Sequence, residues 1–269
     1  MTRVKDQLYS LNVRPSKRKG QNFVINEQVL AQIVDFGNPQ ESDCVVEIGP
    51  GLGALTKKLA HLPQLTLIEI EPNLCAALRE NFPLAKVIQA DVREVDFSSL
   101  GSDLLVFGNL PYAFSTEIIF HLIEQRCSVK RAVLMLQREF VERMAAPPGG
   151  RTYGTISVGA QLWADMRKGP VISGNSFHPR TAVESRLVEL TLLKQPRFPV
   201  SDPLWFRRVV QFSFSQRRKK LVNSLKASGI FVHLDLKEIL SGMGIDPGRR
   251  AETLSIEEFA RLASALRAP

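Results

Sequence analysis

The sequence predicts an α/β fold: a mostly parallel, doubly wound sheet followed by a small all-α domain. Three observations predict it. Apolar, strand-like runs alternate with helical stretches from about residue 26 to about residue 170. Parallel sheets are built this way, because a crossover helix must return the chain between neighbouring strands. The first run, residues 45–48, opens straight into glycines at 49, 51 and 53, a strand-to-helix turn whose backbone can pass close to a ligand. Residues 195–203 then hold three prolines in nine positions, a linker composition, and the apolar spacing beyond them is helical. The expected domains are 1–195, with 1–20 as a basic arm, and 196–269.

The elements follow in order. Residues 1–20 carry Arg3, Lys5, Arg14, Lys17, Arg18 and Lys19 against one acid, Asp6. With Pro15 and Gly20 among them, they are expected to be extended and mobile. A helix is expected over about 26–36 with Asn26 as N-cap, since asparagine accepts the orphan N–H groups of a first turn. After the strand at 45–48 and its glycine loop, strands are expected at 65–71 and 86–92, each ending in acids. A fourth, 104–107, runs into Asn109-Leu110-Pro111-Tyr112, and 131–137 is the fifth. Pro147-Pro148-Gly149-Gly150 marks a loop before a helix at about 154–163. Residues 187–193 form a last strand in a terminal antiparallel pair. Residues 203–228 and the segments after them read as short amphipathic helices, and Ser255-x-x-Glu258 has capping-box spacing.

The loop with Gly49, Gly51 and Gly53 is neither the dinucleotide pattern G-x-G-x-x-G nor a P-loop, because no Gly-Lys-Ser/Thr follows. It suits a ligand without a pyrophosphate, or simply a turn. Glu69 and Glu71 come about 20 residues later, where doubly wound folds place an acceptor for ribose hydroxyls. They alternate onto one strand face, so either could serve. Asp91 reads as an acceptor for an adenine amine or as the N-cap of the next turn. In Asn109-Leu110-Pro111-Tyr112, the amide offers an acceptor, the proline carbonyl is expected to face a ligand, and the tyrosine offers a flat face. This set suits the exocyclic amine of a planar base. A plain strand-to-loop turn would also use Asn and Pro.

Taken together, these motifs resemble the S-adenosylmethionine-dependent methyltransferases, and specifically the rRNA adenine N6-dimethyltransferase family. The resemblance spans nearly the whole chain. It rests on Gly20-Gln21-Asn22-Phe23, Glu47-Ile48-Gly49-Pro50-Gly51, Ile68-Glu69-Ile70-Glu71, Gln89-Ala90-Asp91 and Asn109-Leu110-Pro111-Tyr112. Two C-terminal stretches, 214–219 and 242–252, resemble the bacterial small-subunit (16S) branch. The resemblance implies a Rossmann-like methyltransferase with a mostly parallel seven-stranded sheet. It implies S-adenosylmethionine as cofactor, held by Gln21, Asn22, Val24, Gly49, Gly51, Glu69, Asp91 and Asn109, with Glu69 chosen over Glu71 by motif alignment. It implies catalytic roles for Asn109, Pro111, Tyr112 and Phe177: two acceptors for the adenine N6, one aromatic face, and one clamp. Contacts to RNA are implied at Arg217, Arg218, Lys219, Lys220, Arg249 and Arg250. One departure stands out. The family's Phe-x-Pro-x-Pro-Lys-Val-x-Ser reads here as 177–185 with Thr181 and Ala182 in place of the second proline and the lysine. That puts the stiffness of the loop and one basic contact in question, with Arg180 close enough to restore the charge.

Composition narrows the function classes. With 269 residues, 44% hydrophobic and 23% charged, the chain has ordinary globular composition. Its net charge is +8. Residues 204–234 hold Arg207, Arg208, Arg217, Arg218, Lys219, Lys220 and Lys226 and no acid. Two basic clusters form the electrostatic footprint of a polyanion partner; the resemblance implies that it is 16S rRNA in the small ribosomal subunit or its precursor, met by a monomer. A small-molecule methyltransferase would not need them. Cys44, Cys75 and Cys127 lack metal-ligand spacing, so no metal is expected and a reducing cytoplasm fits. No apolar run is long enough to span a membrane. A non-catalytic RNA-binding or ribosome assembly factor that keeps the fold is the alternative. Intact Asn109–Tyr112 and glycine-loop motifs speak against it.

Overall fold

The computed structural model describes residues 2–13 and 22–267. The chain divides into two compact units, one of Met1–Val141 with Ala164–Lys194, the other of Glu142–Trp163 with Gln195–Pro269. Residues 142–163 thus group with the C-terminal helices, whereas the linker composition places them in the first domain.

The first unit begins with a helix, α1 (Thr2–Ser10), where an extended arm was expected. Leu8 explains the difference: it packs with Val13 and Leu74, and Val4, Leu11, Phe23 and Leu52 close around them. The apolar spacing 4, 8, 11 is that of one helix face. Arg14, Lys17, Arg18, Lys19 and Gln21 lie outside the described residues. Strand β1 (Phe23–Val24) follows. Helix α2 (Glu27–Gly37) starts at Asn26, whose side chain accepts from the N–H groups of Gln28 and Val29.

The main sheet contains β2 (Val45–Ile48), β3 (Leu65–Glu69), β4 (Lys86–Gln89), β5 (Leu104–Asn109), β6 (Val129–Gln137), β7 (Ala164–Ile172) and β9 (Ser185–Leu192), in the order β4-β3-β2-β5-β6-β9-β7. The seven strands match the expected count. Strands β4 to β6 are parallel, and β9 runs antiparallel to both β6 and β7. The two-residue β8 (Phe177–His178) pairs only with β1. Helices α3 (Thr56–Leu59), α4 (Pro72–Asn81) and α5 (Ser115–Glu124) make the crossovers. Central strands are buried on both faces, which is why 104–108 and 132–136 read as unbroken apolar runs. Leu105, Phe107, Val133 and Met135 pack with Val29, Leu30 and Ile33 of α2; the intervening residues face the other layer.

The second unit holds the end of α6 (Arg138–Met144), α7 (Thr155–Trp163), α8 (Pro203–Phe214), α9 (Leu221–Ala227), α10 (Leu236–Gly242) and α11 (Ile256–Ala265). Phe231 and Phe259 are fully buried there. Ser255 and Glu258 form the expected capping box at α11. Among the described residues, no helix is long and apolar enough to cross a membrane.

Candidate active site

Strand order reverses between β2 and β5, which lie side by side while their crossovers leave in opposite directions. Such a switch point opens a crevice beyond the carboxyl ends of the strands. A cavity of about 790 Å³ lies there, lined by the ends of β2, β3 and β5 and by the residues that follow β4. Asn22, Val24, Gly49, Gly51, Glu69 and Asp91 line it, and Asn109 joins them from β5. Residues as distant in sequence as Asn22 and Asn109 therefore share one pocket, because parallel strands end on the same side.

The glycine loop is shaped by backbone conformation. Gly49, Gly51 and Gly53 have φ of 63°, 59° and 80°, a left-handed region that other residues enter only with strain. A Cβ on Gly51 would also stand 2.9 Å from the Phe23 ring. The loop is pinned from the next strand. Glu69 is 5% exposed and accepts from the N–H of Gly51 at 3.1 Å, Ile70 at 2.9 Å and Glu71 at 3.0 Å. Burial raises the Glu69 carboxyl above its ordinary value, and these three N–H groups oppose the rise. A carboxylate offers about four acceptor positions, so one remains for a ligand donor. Glu71 instead precedes α4 without a side-chain cap bond and does not line the cavity. β3 ends at Glu69, two residues earlier than expected, so Glu69 lines the cavity and Glu71 does not.

Asp91 lies beyond the end of β4 and caps the short turn Val92–Glu94 through the Arg93 N–H. Arg93 also forks onto it, Nε at 3.0 and 3.2 Å from its two oxygens. That hydrogen-bonded guanidinium holds the Asp91 carboxyl below its ordinary range. Asp91 thus serves as the expected cap while also lining the cavity.

In the Asn109–Tyr112 motif, the Asn109 side-chain N–H donates to the Asn22 carbonyl at 2.7 Å. The carbonyl can only accept, so the amide nitrogen faces it and the amide oxygen faces elsewhere. Pro111 lines the cavity, but its carbonyl is not free as expected. It accepts the Phe114 N–H at 3.1 Å and the Ser115 hydroxyl at 3.2 Å. The short turn Tyr112–Phe114 and the start of α5 fold back on it. Among the described residues, no hydrogen bond is made to the Leu110 carbonyl. Tyr112 is half-buried, bonds Ser185 through its hydroxyl at 2.8 Å, and does not line the cavity. Phe177 is a correction. It is 0% exposed and packs in the core with Val24 and Leu187, so its ring is not presented as a clamp. A two-residue strand paired to β1 buries the aromatic residue that the motif alone offers to a ligand.

Loop 179–184 holds one local side-chain bond where the family's second proline and lysine are replaced. The Thr181 hydroxyl accepts the Val183 N–H at 3.2 Å, closing a local turn of the kind serine and threonine favour. Arg180 is exposed beside it.

Several pocket residues carry no role in the sequence reading. Phe23, Ile70, Arg93 and Phe114 line the cavity, and apolar or surface-type residues give no signal of that. Glu47 does give one, an acid inside the strand Val-Val-Glu-Ile. It is 2% exposed, lines the cavity, and accepts the Thr56 hydroxyl at 2.7 Å. Burial pushes it up to about 8, with Thr56 opposing and Glu69 adding to the rise.

In the second unit, the basic residues divide. The run 217–220 lies in the turn between α8 and α9, with Lys220 at the N-cap position of α9. Arg217 bonds the carbonyls of Arg151 and Tyr153, and Arg249 clamps Glu258 and Thr253. These two are committed within the fold. Arg218, Lys219, Lys220 and Arg250 are exposed. No side-chain partner is found for these four among the described residues.

A sequence profile of the family described as ribosomal RNA adenine dimethylase matches residues 13–267. A protein of Geobacter metallireducens named ribosomal RNA small subunit methyltransferase A is 40% identical over 266 residues, covering 95% of this chain and 97% of its own. One of the same name from Syntrophotalea carbinolica is 43% identical over 258 residues, with 94% and 97% covered. Among solved structures, a dimethyladenosine transferase from Plasmodium falciparum superposes with a TM-score of 0.72 at 24% identity, covering 89% of this chain and 95% of that one. The 23S rRNA methyltransferase ErmE does so at 0.67 and 21%, covering 91% and 99%; at these identities the likeness concerns the fold, an α/β methyltransferase fold. The profile match and the relatives together establish that the chain belongs to the ribosomal RNA adenine dimethylase family.

Proposed function

We propose that this protein is an S-adenosylmethionine-dependent rRNA adenine N6,N6-dimethyltransferase. Its substrate in this reading is a pair of adjacent adenosines in a hairpin loop near the 3′ end of 16S rRNA, presented by the small ribosomal subunit or its precursor. The observation that carries the reading is the meeting of Glu69, Asp91 and Asn109 in one cavity at the switch point of a chain from this family.

The cavity fits the cofactor. Gly49 and Gly51 let the backbone approach the methionine portion, with Asn22 and Val24 beside it. Glu69 keeps one acceptor position for a ribose hydroxyl, and Asp91 serves the adenine amine. Gln21, outside the described residues, belongs to the same motif by resemblance. When bound, the cofactor supplies an electrophilic methyl on a sulfonium.

The chain's own residues handle the nucleophile. The adenine N6 lone pair is delocalised into the ring, so the nitrogen attacks poorly. Acceptors that hold both N6 hydrogens favour a pyramidal nitrogen and aim its lone pair, a matter of orientation and preorganised dipoles. Asn109 Oδ1 is one acceptor, fixed by the bond to Asn22. With the Pro111 carbonyl engaged, the carbonyl of Leu110 is the motif's remaining acceptor. Tyr112, held through Ser185 outside the cavity lining, is the motif's aromatic face in this reading, and a π face favours a nearby cation. Because the donor would leave as a neutral thioether, no residue here would need to protonate it, and the methylated nitrogen would lose its proton to solvent.

Arg218, Lys219, Lys220 and Arg250 supply phosphate contacts, and a soluble monomer meets the particle. Incubation with labelled S-adenosylmethionine and unmethylated small subunits, followed by nucleoside analysis, tests the reading. N6,N6-dimethyladenosine is expected. Tight particle binding without methyl transfer would point to an assembly factor instead.

A further inference from the structure

Resting on the reading that the cavity takes S-adenosylmethionine, we propose that Arg93 is a positioning residue for methyl transfer, tying the acid at the adenine end of the cavity to the segment directly after the Asn109–Tyr112 motif. The two ties are on the same guanidinium. Its Nε lies 3.0 and 3.2 Å from the two Asp91 oxygens, and Nη2 bonds Oδ2. Its Cζ lies over the Phe114 ring, 4.5 Å from the centroid. Phe114 closes the turn Tyr112–Phe114 and leads into α5. Asp91, Arg93, Phe114 and Asn109 all line the one cavity.

The Asp91 carboxylate is crowded. The Arg93 backbone N–H takes Oδ1 as well, at 3.0 Å, so its acceptor positions are all approached by Arg93. An amine that arrives at Asp91 must displace one of these bonds. Arginine can yield one donor and keep others, because its five N–H groups are spread over a rigid fork. As the fork shifts across the carboxylate, its face shifts across Phe114. That ring is two residues from Tyr112, so occupancy at Asp91 is transmitted to the turn that carries the motif. Lysine could not replace it: an ammonium is a point charge without a fork or a stacking face.

The test is steady-state methyl transfer to unmethylated small subunits, with cofactor and particle varied separately. Arg93→Ala and Phe114→Leu are each expected to lower kcat about fivefold to tenfold, a usual size for coupling between sites, while KM for the cofactor changes less than about threefold. Phe114→Tyr, which keeps the ring, should restore most of the rate lost in Phe114→Leu. Arg93→Lys should not rescue Arg93→Ala. The double variant Arg93→Ala with Phe114→Leu should be no slower than the worse single, since the two changes break one link. An unchanged kcat in Arg93→Ala, or losses that multiply in the double variant, overturns the proposal and leaves the cavity reading intact. A wild-type protein that binds no S-adenosylmethionine in calorimetry overturns both.

Discussion

The side-chain amide of Asn109 donates to the backbone carbonyl of Asn22 across 87 positions of sequence, at 2.7 Å. One hydrogen bond therefore joins the segment before β1 to the end of β5. It also sets which end of the Asn109 amide is left to accept.

Asn109→Ala is expected to cut methyl transfer about 10²-fold or more, the usual cost of losing one preorganised polar partner. Asn22 loses this hydrogen bond in the same variant, so cofactor affinity should fall too, though by less. Single-turnover rates and calorimetric titration of S-adenosylmethionine check both. Near-normal turnover would remove Asn109 from the chemistry.

Glu69→Ala is expected to cost about 2–3 kcal/mol of cofactor affinity, the range for hydrogen bonds to a charged group. Glu71→Ala should cost far less, because Glu71 does not line the cavity. Glu69 also holds three N–H groups, Gly51's among them, so its loss should loosen the glycine loop. Hydrogen exchange at Gly51 without cofactor separates that effect from lost binding, and a larger effect at Glu71 would reverse the assignment.

Glu47 predicts a pH dependence of stability. Its folded value of about 8 lies above the ordinary 4.5, so the native state holds a proton that the unfolded chain releases. The contribution is fully present below about pH 4.5 and is lost as pH rises to about 8. Glu47→Gln keeps the shape and cannot ionise. It should match the wild type near pH 5 and be more stable near pH 8.5, by at least about 1 kcal/mol, since a tenfold change in proton affinity is worth about 1.36 kcal/mol. Thermal unfolding at both values decides it; an equal difference at the two pH values would mean Glu47 is ionised in the fold.

The basic residues of the second unit should separate into two kinds. Arg218, Lys219 and Lys220 changed together to Ala should weaken particle binding and flatten its salt dependence, by nearly one slope unit per lost phosphate contact. S-adenosylmethionine affinity and melting temperature should hold. Arg249→Ala should instead lower stability by about 1–2 kcal/mol, because it breaks a part-buried pair with Glu258. An unchanged salt slope in the triple variant would make those three residues solvated surface charge.

The sequence by itself determined most of the elements and the polar residues that the strand ends bring to the pocket. Period-two and continuous apolar runs marked the strands, glycines marked the loop, and the spacing of Glu69, Asp91 and Asn109 foretold that parallel strands would bring them to one edge. Local chemistry also determined the Asn26 cap and the Ser255–Glu258 capping box, since each depends on residues three apart or less. What only the tertiary structure decided were partnerships between distant or competing groups. A carbonyl in a motif reads as free until the following turn folds back on it, as at Pro111. An aromatic residue reads as available until a two-residue strand buries it, as at Phe177. A run of cations reads as one cluster until carbonyls and acids elsewhere claim some members, as at Arg217 and Arg249. Helix α1 forms where charge suggested an arm, because Leu8 finds Leu74 beneath it. At Pro111 the choice falls to a turn three and four residues on, but at Phe177, Arg217 and Leu8 the deciding partners, Val24, Tyr153 and Leu74, lie far along the chain, where no local pattern signals them and only packing selects them.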